Sequence, residues 1–152
     1  MLYFAYGSNL CSARLTARVG PLRVGGRAWL PGHEHRFSKH GRDGTGKGNV
    51  EPHPTRLVHG VLYHLTDAQL RTLDAFEGGY RRVECLVLQA DGARLHAVTF
   101  VALAPGAAPP PSLAYLDHYR RGFLEHDLPR AYAHALLRDA GDERPLGEAM
   151  AR

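Results

Sequence analysis

The chain has 152 residues, is 44% hydrophobic and carries a formal net charge of +4. That length and apolar content suffice for one domain with a sizeable core and no disulfide staples. No apolar stretch nears the roughly 18 residues a membrane span needs, and no charged segment followed by a long apolar run opens the chain, so a soluble, cytoplasmic protein without a membrane partner is expected. The positive charge does not by itself imply nucleic acid. Lys occurs only at Lys39 and Lys47 and the arginines are scattered from Arg14 to Arg152, without the basic stripe and interleaved aromatics of a nucleic-acid surface. A basic surface does favour small anionic substrates.

From the N-terminus, apolar and aromatic residues predict a strand over 2–6 that halts at Gly7-Ser8-Asn9, followed by a short helix over 10–18. With Gly7 at positive φ, the consecutive N–H groups of Gly7, Ser8, Asn9 and Leu10 can converge into an anion-binding nest at the helix start. Simple helix capping by Ser8 or Asn9 explains the same residues.

Strands follow near 27–38 and 57–65. Between them, GRDGTGKGN at 41–49 approaches a phosphate-binding loop. It fails because Gly48 stands where Ser or Thr must hold magnesium, and because Pro52 and Pro54 forbid the helix that should follow. It reads either as a flexible glycine-rich loop able to close over a site or as a plain surface loop.

TDAQLRTLDAF predicts a helix with a Thr66/Gln69 capping box and with Leu70, Leu73 and Phe76 on one face. Glu77 comes where that helix ends against Gly78-Gly79, a place where the backbone dipole favours cations. Flanked by Phe76 and Tyr80, its carboxylate is expected to be partly desolvated and its pKa raised towards that of a useful proton carrier; a solvated surface glutamate is the alternative.

Strands near 80–89 and 94–103 form a hairpin through Ala90-Asp91-Gly92, APGAAPPPS is a stiff connector, and Ser112 caps a helix over 113–126. Periodicity fades after Gly141, so the expectation is a domain over 1–140 and a loosely held tail over 141–152. The strands sum to a mainly antiparallel sheet or barrel.

Other chemistry finds less support. The ten histidines include His33-Glu34-His35, whose imidazoles share one strand face, but neither HExxH nor another metal-ligand spacing is present, and no metal or other cofactor is expected. Ser8 lies outside a G-x-S-x-G elbow. Cys11 and Cys85 match neither a zinc nor a disulfide pattern and are read as free thiols.

Together, YFAYGSNL (3–10), GKGNVEPHP (46–54), VHGVLYHLT (58–66), LDAFEGGY (73–80), PPPSLAYL and HDLPRAY resemble the γ-glutamylcyclotransferase family in family order, from residue 2 to about residue 137. The resemblance implies an α+β fold, a small mixed and mainly antiparallel β-barrel flanked by helices, with a substrate cavity between the YGSNL loop and Glu77. It implies cofactor-free conversion of a γ-glutamyl amine, amino acid or peptide to 5-oxoproline and the free amine. In it Glu77 is the proton carrier, and Tyr6, Gly7, Ser8, Asn9 and Leu10 bind the substrate's carboxylate or oxyanion. Tyr115 falls at a tyrosine that reaches the cavity, or else simply packs the last helix.

Phe100 departs from the family pattern, since relatives often carry tyrosine there, and Gly78-Gly79 leads straight to Tyr80, which shortens the rim. Tolerance of varied or bulky leaving groups follows as an expectation. The same departures motivate a second reading, a non-catalytic binding module for γ-glutamyl or other small carboxylates. A monomer or homodimer suits either.

Overall fold

The computed structural model describes residues 1–147. Its strands are β1 (Leu2–Ala5), β2 (Arg23–His40), β3 (Gly46–His64), β4 (Tyr80–Leu88) and β5 (Arg94–Ala102), closed into a barrel in the order β1-β3-β2-β4-β5. Neighbours pair antiparallel except β1 and β5, which run parallel at Tyr3↔Val98 and seal the barrel. The helices are α1 (Ser12–Val19), α2 (Asp67–Phe76), α3 (Leu113–Glu125) and α4 (Arg130–Asp139), and a 3₁₀ turn over Ser8–Leu10 joins β1 to α1. This is the mixed barrel with flanking helices that the sequence resemblance implies.

Alternation along β1 sends its side chains into two cores. Phe4 and Tyr6 join Leu30, Val58, Leu62, Val87 and Ala97 in a cluster that draws on all five strands and fills the barrel. Tyr3 and Ala5 face outward, where Leu10, Leu15, Leu70, Leu73, Leu116, Tyr119 and Phe123 pack the helices onto the wall. Each fully buried Leu contributes about 1.5–3 kcal/mol, so this outer layer binds the Ser8–Leu10 turn, α2 and α3 into one body.

Several local signals act as expected. Thr66 Oγ1 accepts from the Gln69 N–H (3.1 Å) and Gln69 Oε1 from the Thr66 N–H (3.0 Å), completing the capping box. Ser112 Oγ caps α3 by accepting from the Tyr115 N–H (3.1 Å). The Ala90-Asp91-Gly92 turn joins β4 to β5 as a hairpin, with Gly92 at φ +86°.

Other elements differ. Phe76 does not share the buried face of Leu70 and Leu73; it stays half exposed, and the Arg18 guanidinium lies 5.2 Å from its ring. β3 starts at Gly46, so the second part of the supposed glycine-rich loop, 46–49, is strand and residues 41–45 form the turn. The glycines there serve close approach: a Cβ at Gly48 would lie 2.0 Å from the Tyr119 hydroxyl, and one at Gly46 would lie 2.3 Å from the Pro109 carbonyl. The Pro-rich connector docks on that turn, accepting from the Gly46 N–H at Pro110 O (3.3 Å) and donating from Gly106 N–H to Ser38 O (2.9 Å).

Helix α4 was not expected. Pro129 holds its N-cap position, where proline's fixed φ suits a helix start, and Ala133, Leu136 and Leu137 bury its apolar stripe. The stretch beyond Gly141 is held as far as Gly147. Arg120, fully buried in α3, donates to the Arg144 (3.1 Å) and Pro145 carbonyls, Arg144 bridges Asp142 and Asp117 (2.9 Å each), and Leu146 enters the core. The rest of the expected tail, 148–152, lies outside the described residues.

Gly122 lets α3 seat against the Ser8–Leu10 turn, since a Cβ there would lie 2.3 Å from Leu10 Cβ and 2.7 Å from the Leu10 carbonyl carbon. Backbone cannot yield as a flexible side chain does. Gly122→Ala is therefore expected to lower stability by about 1–2 kcal/mol, overpacking of up to about 3 kcal/mol outweighing a helix-propensity gain of about 1 kcal/mol. Denaturant unfolding checks this, and wild-type stability would mean that α3 and the turn are not so closely seated.

Candidate active site

At the end of β1 the chain turns through Ser8–Leu10 with Gly7 at φ −122°. The expected positive φ is not adopted. Glycine is needed for room, because a Cβ at Gly7 would lie 2.9 Å from the Tyr119 hydroxyl. Neither Ser8 nor Asn9 caps a helix with its side chain; Cys11 holds the N-cap position of α1. The Leu10 N–H is spent on the Gly7 carbonyl (2.9 Å), whereas the N–H groups of Ser8 and Asn9 meet no acceptor among the described residues. Two backbone donors at this turn are thus available to an anion.

The Asn9 side chain points across the fold. Its Nδ2 donates to the Tyr3 hydroxyl and to Glu77 Oε1, both at 3.1 Å, while its Oδ1 accepts from Arg18 (3.3 Å). Residues 68 positions apart are so brought into direct contact. Glu77 terminates α2, its N–H bonded back to Leu73 and Asp74, and its side chain is only 13% exposed. Burial pushes its pKa above the ordinary carboxylate range, and Arg18 (3.6 Å away), Asn9, Arg14 and Lys39 oppose the rise. Desolvation of the charged form outweighs the cations.

Ser8, Glu77, Tyr80 and Tyr115 line one cavity of about 220 Å³. Tyr115 and Tyr80 clamp the Gly48 peptide, whose N–H donates to the Tyr115 hydroxyl (3.0 Å) and whose carbonyl accepts from Tyr80 (2.7 Å). The Tyr115 oxygen accepts from Gly48, and Tyr119 is a second hydrogen-bond partner of that hydroxyl. Behind it, the Tyr119 hydroxyl meets His35 Nε2 at 2.8 Å, and burial holds the His35 pKa down to about 3, so this imidazole stays neutral.

Four residues named from the sequence, Tyr6, Gly7, Asn9 and Leu10, do not line the cavity, although Asn9 touches Glu77 from behind the wall. The Tyr6 hydroxyl donates to the Phe100 carbonyl (2.5 Å) inside the barrel. Leu10 is a core residue, its carbonyl accepting from Tyr63 (3.0 Å). Phe100 is also buried and packs edge-on against Tyr3.

Sequence reading missed the cations. Arg14 and Arg18 from α1, Lys39 from the end of β2, Arg42 from the turn and Lys47 from the start of β3 all line the cavity, with Glu77 as its only carboxylate among the described residues. Arg14 Nε donates to Ser8 Oγ (3.1 Å), and Lys47 pairs with Asp43 (3.1 Å) just outside. The spacing of Arg14 and Arg18, one helical turn apart, was the available signal.

Elsewhere, Cys11 is buried and Cys85 half-buried, both as free thiols, and burial pushes the Cys85 thiol up to about 11. No group of three potential metal ligands occurs among the described residues, and no helix among them is long and apolar enough to cross a membrane.

The family model described as gamma-glutamyl cyclotransferase, AIG2-like, matches residues 3–121. No curated protein matches the chain. Among solved structures, one described as a gamma-glutamyl cyclotransferase is similar over 90% of this chain and 85% of that one, with a TM-score of 0.83 and 26% identity. An uncharacterized protein from Homo sapiens is similar over 89% and 85%, with a TM-score of 0.82 and 28% identity. YkqA from Bacillus subtilis aligns with 93% of this chain but only 54% of its own length, with a TM-score of 0.81 and 26% identity.

Proposed function

Since the chain belongs to the gamma-glutamyl cyclotransferase, AIG2-like family, we propose that it cyclises a γ-glutamyl compound to 5-oxoproline and releases the amine carried on its γ-carbonyl. The observation that carries this reading is the desolvated Glu77 carboxylate, tied by Asn9 to the same turn that offers the Ser8 and Asn9 N–H donors.

The substrate supplies its own nucleophile. Its α-amine attacks its γ-carbonyl, so folding the glutamyl chain replaces the encounter of two molecules, and no redox or metal-assisted step is called for. The Ser8 and Asn9 N–H groups hold the α-carboxylate at the Arg14 and Arg18 side of the cavity, leaving the α-ammonium facing Glu77. An ammonium cannot attack, so Glu77 takes its proton. The new C–N bond gives a tetrahedral oxyanion, for which the Tyr115 hydroxyl is a donor. As the intermediate collapses, the γ-carbon loses its original nitrogen, to which protonated Glu77 returns the first proton. The ring nitrogen, which still carries two hydrogens after the attack, gives its second proton to the ionised Glu77 carboxylate, and the released amine takes it up as an ammonium; a carboxyl with a raised pKa suits these transfers.

Incubation with a panel of γ-glutamyl amines, amino acids and peptides, with 5-oxoproline as readout, tests the proposal. Release from at least one member is expected. Calorimetric binding without product would instead favour a binding module, and neither binding nor product would end both readings.

A further inference from the structure

The cavity's cations fall into two groups by their place in the chain. Arg14 and Arg18 come from α1 and are engaged, by Ser8 on one hand and by Asn9 and Glu77 on the other. Lys39, Arg42 and Lys47 come from the β2–β3 hairpin; Arg42 and Lys39 pack against Gly78 and Gly79, just past Glu77, and Lys47 lies over the Tyr115 ring. Only Lys47 in this second group has an acidic partner, Asp43; Lys39 and Arg42 have no carboxylate within ion-pair distance among the described residues.

The chain is built to hold these groups there. The Lys39 stem lies against Gly79, which is at φ +83°; a Cβ there would lie 2.7 Å from Lys39 Cε and 3.0 Å from its Nζ. Its ammonium stands 5.1 Å from the Tyr80 ring. At the other end of the turn, a Cβ at Gly41 would lie 2.6 Å from Lys47 Cε. A half-buried lysine without a direct ion pair bears a desolvation cost that an anionic ligand offsets; burial depresses the Lys39 pKa, and the more distant Glu77 charge opposes that fall.

We propose that Lys39 and Arg42 form an anion subsite for the leaving group, which selects γ-glutamyl compounds whose departing amine carries a carboxylate, an amino acid or peptide, over neutral or cationic amines. This rests on the cyclotransferase reading. With the glutamyl carboxylate at Ser8 and Asn9, the γ-amide substituent extends past Glu77 towards the β2–β3 turn, where a carboxylate meets two uncommitted cations. The short rim thus admits varied side chains while the charge is read.

The test compares kcat/KM for γ-glutamyl-alanine, γ-glutamyl-alaninamide and a γ-glutamyl diamine. The first two differ only in the leaving-group charge. The acid is expected to be preferred over the amide by roughly 10- to 100-fold, the range of a charge-assisted hydrogen bond, with the diamine poorest. The acid-to-amide ratio should fall towards one in Lys39→Met and Arg42→Met, and further in Arg42→Glu. Because both substrates are read in the same preparation, partial unfolding cancels from the ratio. Equal turnover of acid and amide by the wild type, or a ratio untouched by these substitutions, overturns the subsite while leaving a cyclotransferase. No 5-oxoproline from any compound overturns the cyclotransferase reading and the subsite with it.

Discussion

Glu77→Gln is expected to slow 5-oxoproline formation by about 10²–10⁴-fold, the usual worth of a positioned proton carrier. Glutamine keeps the shape and can still accept from Asn9 at Oε1, so the loss should fall on kcat rather than KM. Stability separates this outcome from a structural role. Burial raises the Glu77 pKa above its ordinary 4.5, so the fold prefers the protonated form. The stability this contributes is fully present below pH 4.5 and is lost as pH rises through the folded value. Above the folded value the wild type therefore bears an ionised, desolvated carboxylate that the variant lacks. Glu77→Gln should melt at the same or a higher temperature at pH 7, with the difference closing below pH 4.5. Full activity, or a marked fall in melting temperature with activity lost in proportion, would contradict the assigned role.

Asn9→Ala should lower kcat on the order of 10²-fold, because Glu77 loses the bond that orients it, and a displacement near 1 Å at a reacting group costs about that much. The pH profile carries a second signature. Asn9 favours the ionised form of Glu77, as does Arg18 more strongly, and Glu77 must be ionised to accept the ammonium proton. Removing either group raises the carboxyl pKa, so the acid limb of kcat/KM moves to higher pH, further for Arg18→Gln than for Asn9→Ala. An acid limb that stays put in both variants would mean that another group titrates there.

Residues close in sequence made much of the scaffold legible. Thr66 and Gln69, Ser112, and Ala90-Asp91-Gly92 act within a few positions of themselves, so their physics is complete in a short window. The abrupt stop at Gly7-Ser8-Asn9 likewise marked a turn between strand and helix, although its glycine answers to the Tyr119 hydroxyl and not to a left-handed backbone. Wherever the deciding partner lay far along the chain, local reading failed. The glycines of 41–48 looked like flexibility because the Tyr119 and Pro109 atoms they admit lie some 60 or more positions away. The arginines looked scattered because α1 and the β2–β3 turn meet only once the barrel closes. Asn9 was named for its backbone, and its side-chain contact with Glu77 had no local trace. Pro52 and Pro54 exclude a helix as read, and the chain there is the strand β3, whereas helix α4 after Pro129 was not foreseen.

The most direct measurement is a crystal structure of the Glu77→Gln protein with γ-glutamyl-alanine. It should place the α-carboxylate within hydrogen-bond distance of the Ser8 and Asn9 N–H groups, with the α-nitrogen about 3 Å from residue 77 or one water away. A ligand bound elsewhere, or one whose amine lies more than about 7 Å from that side chain, would contradict the account.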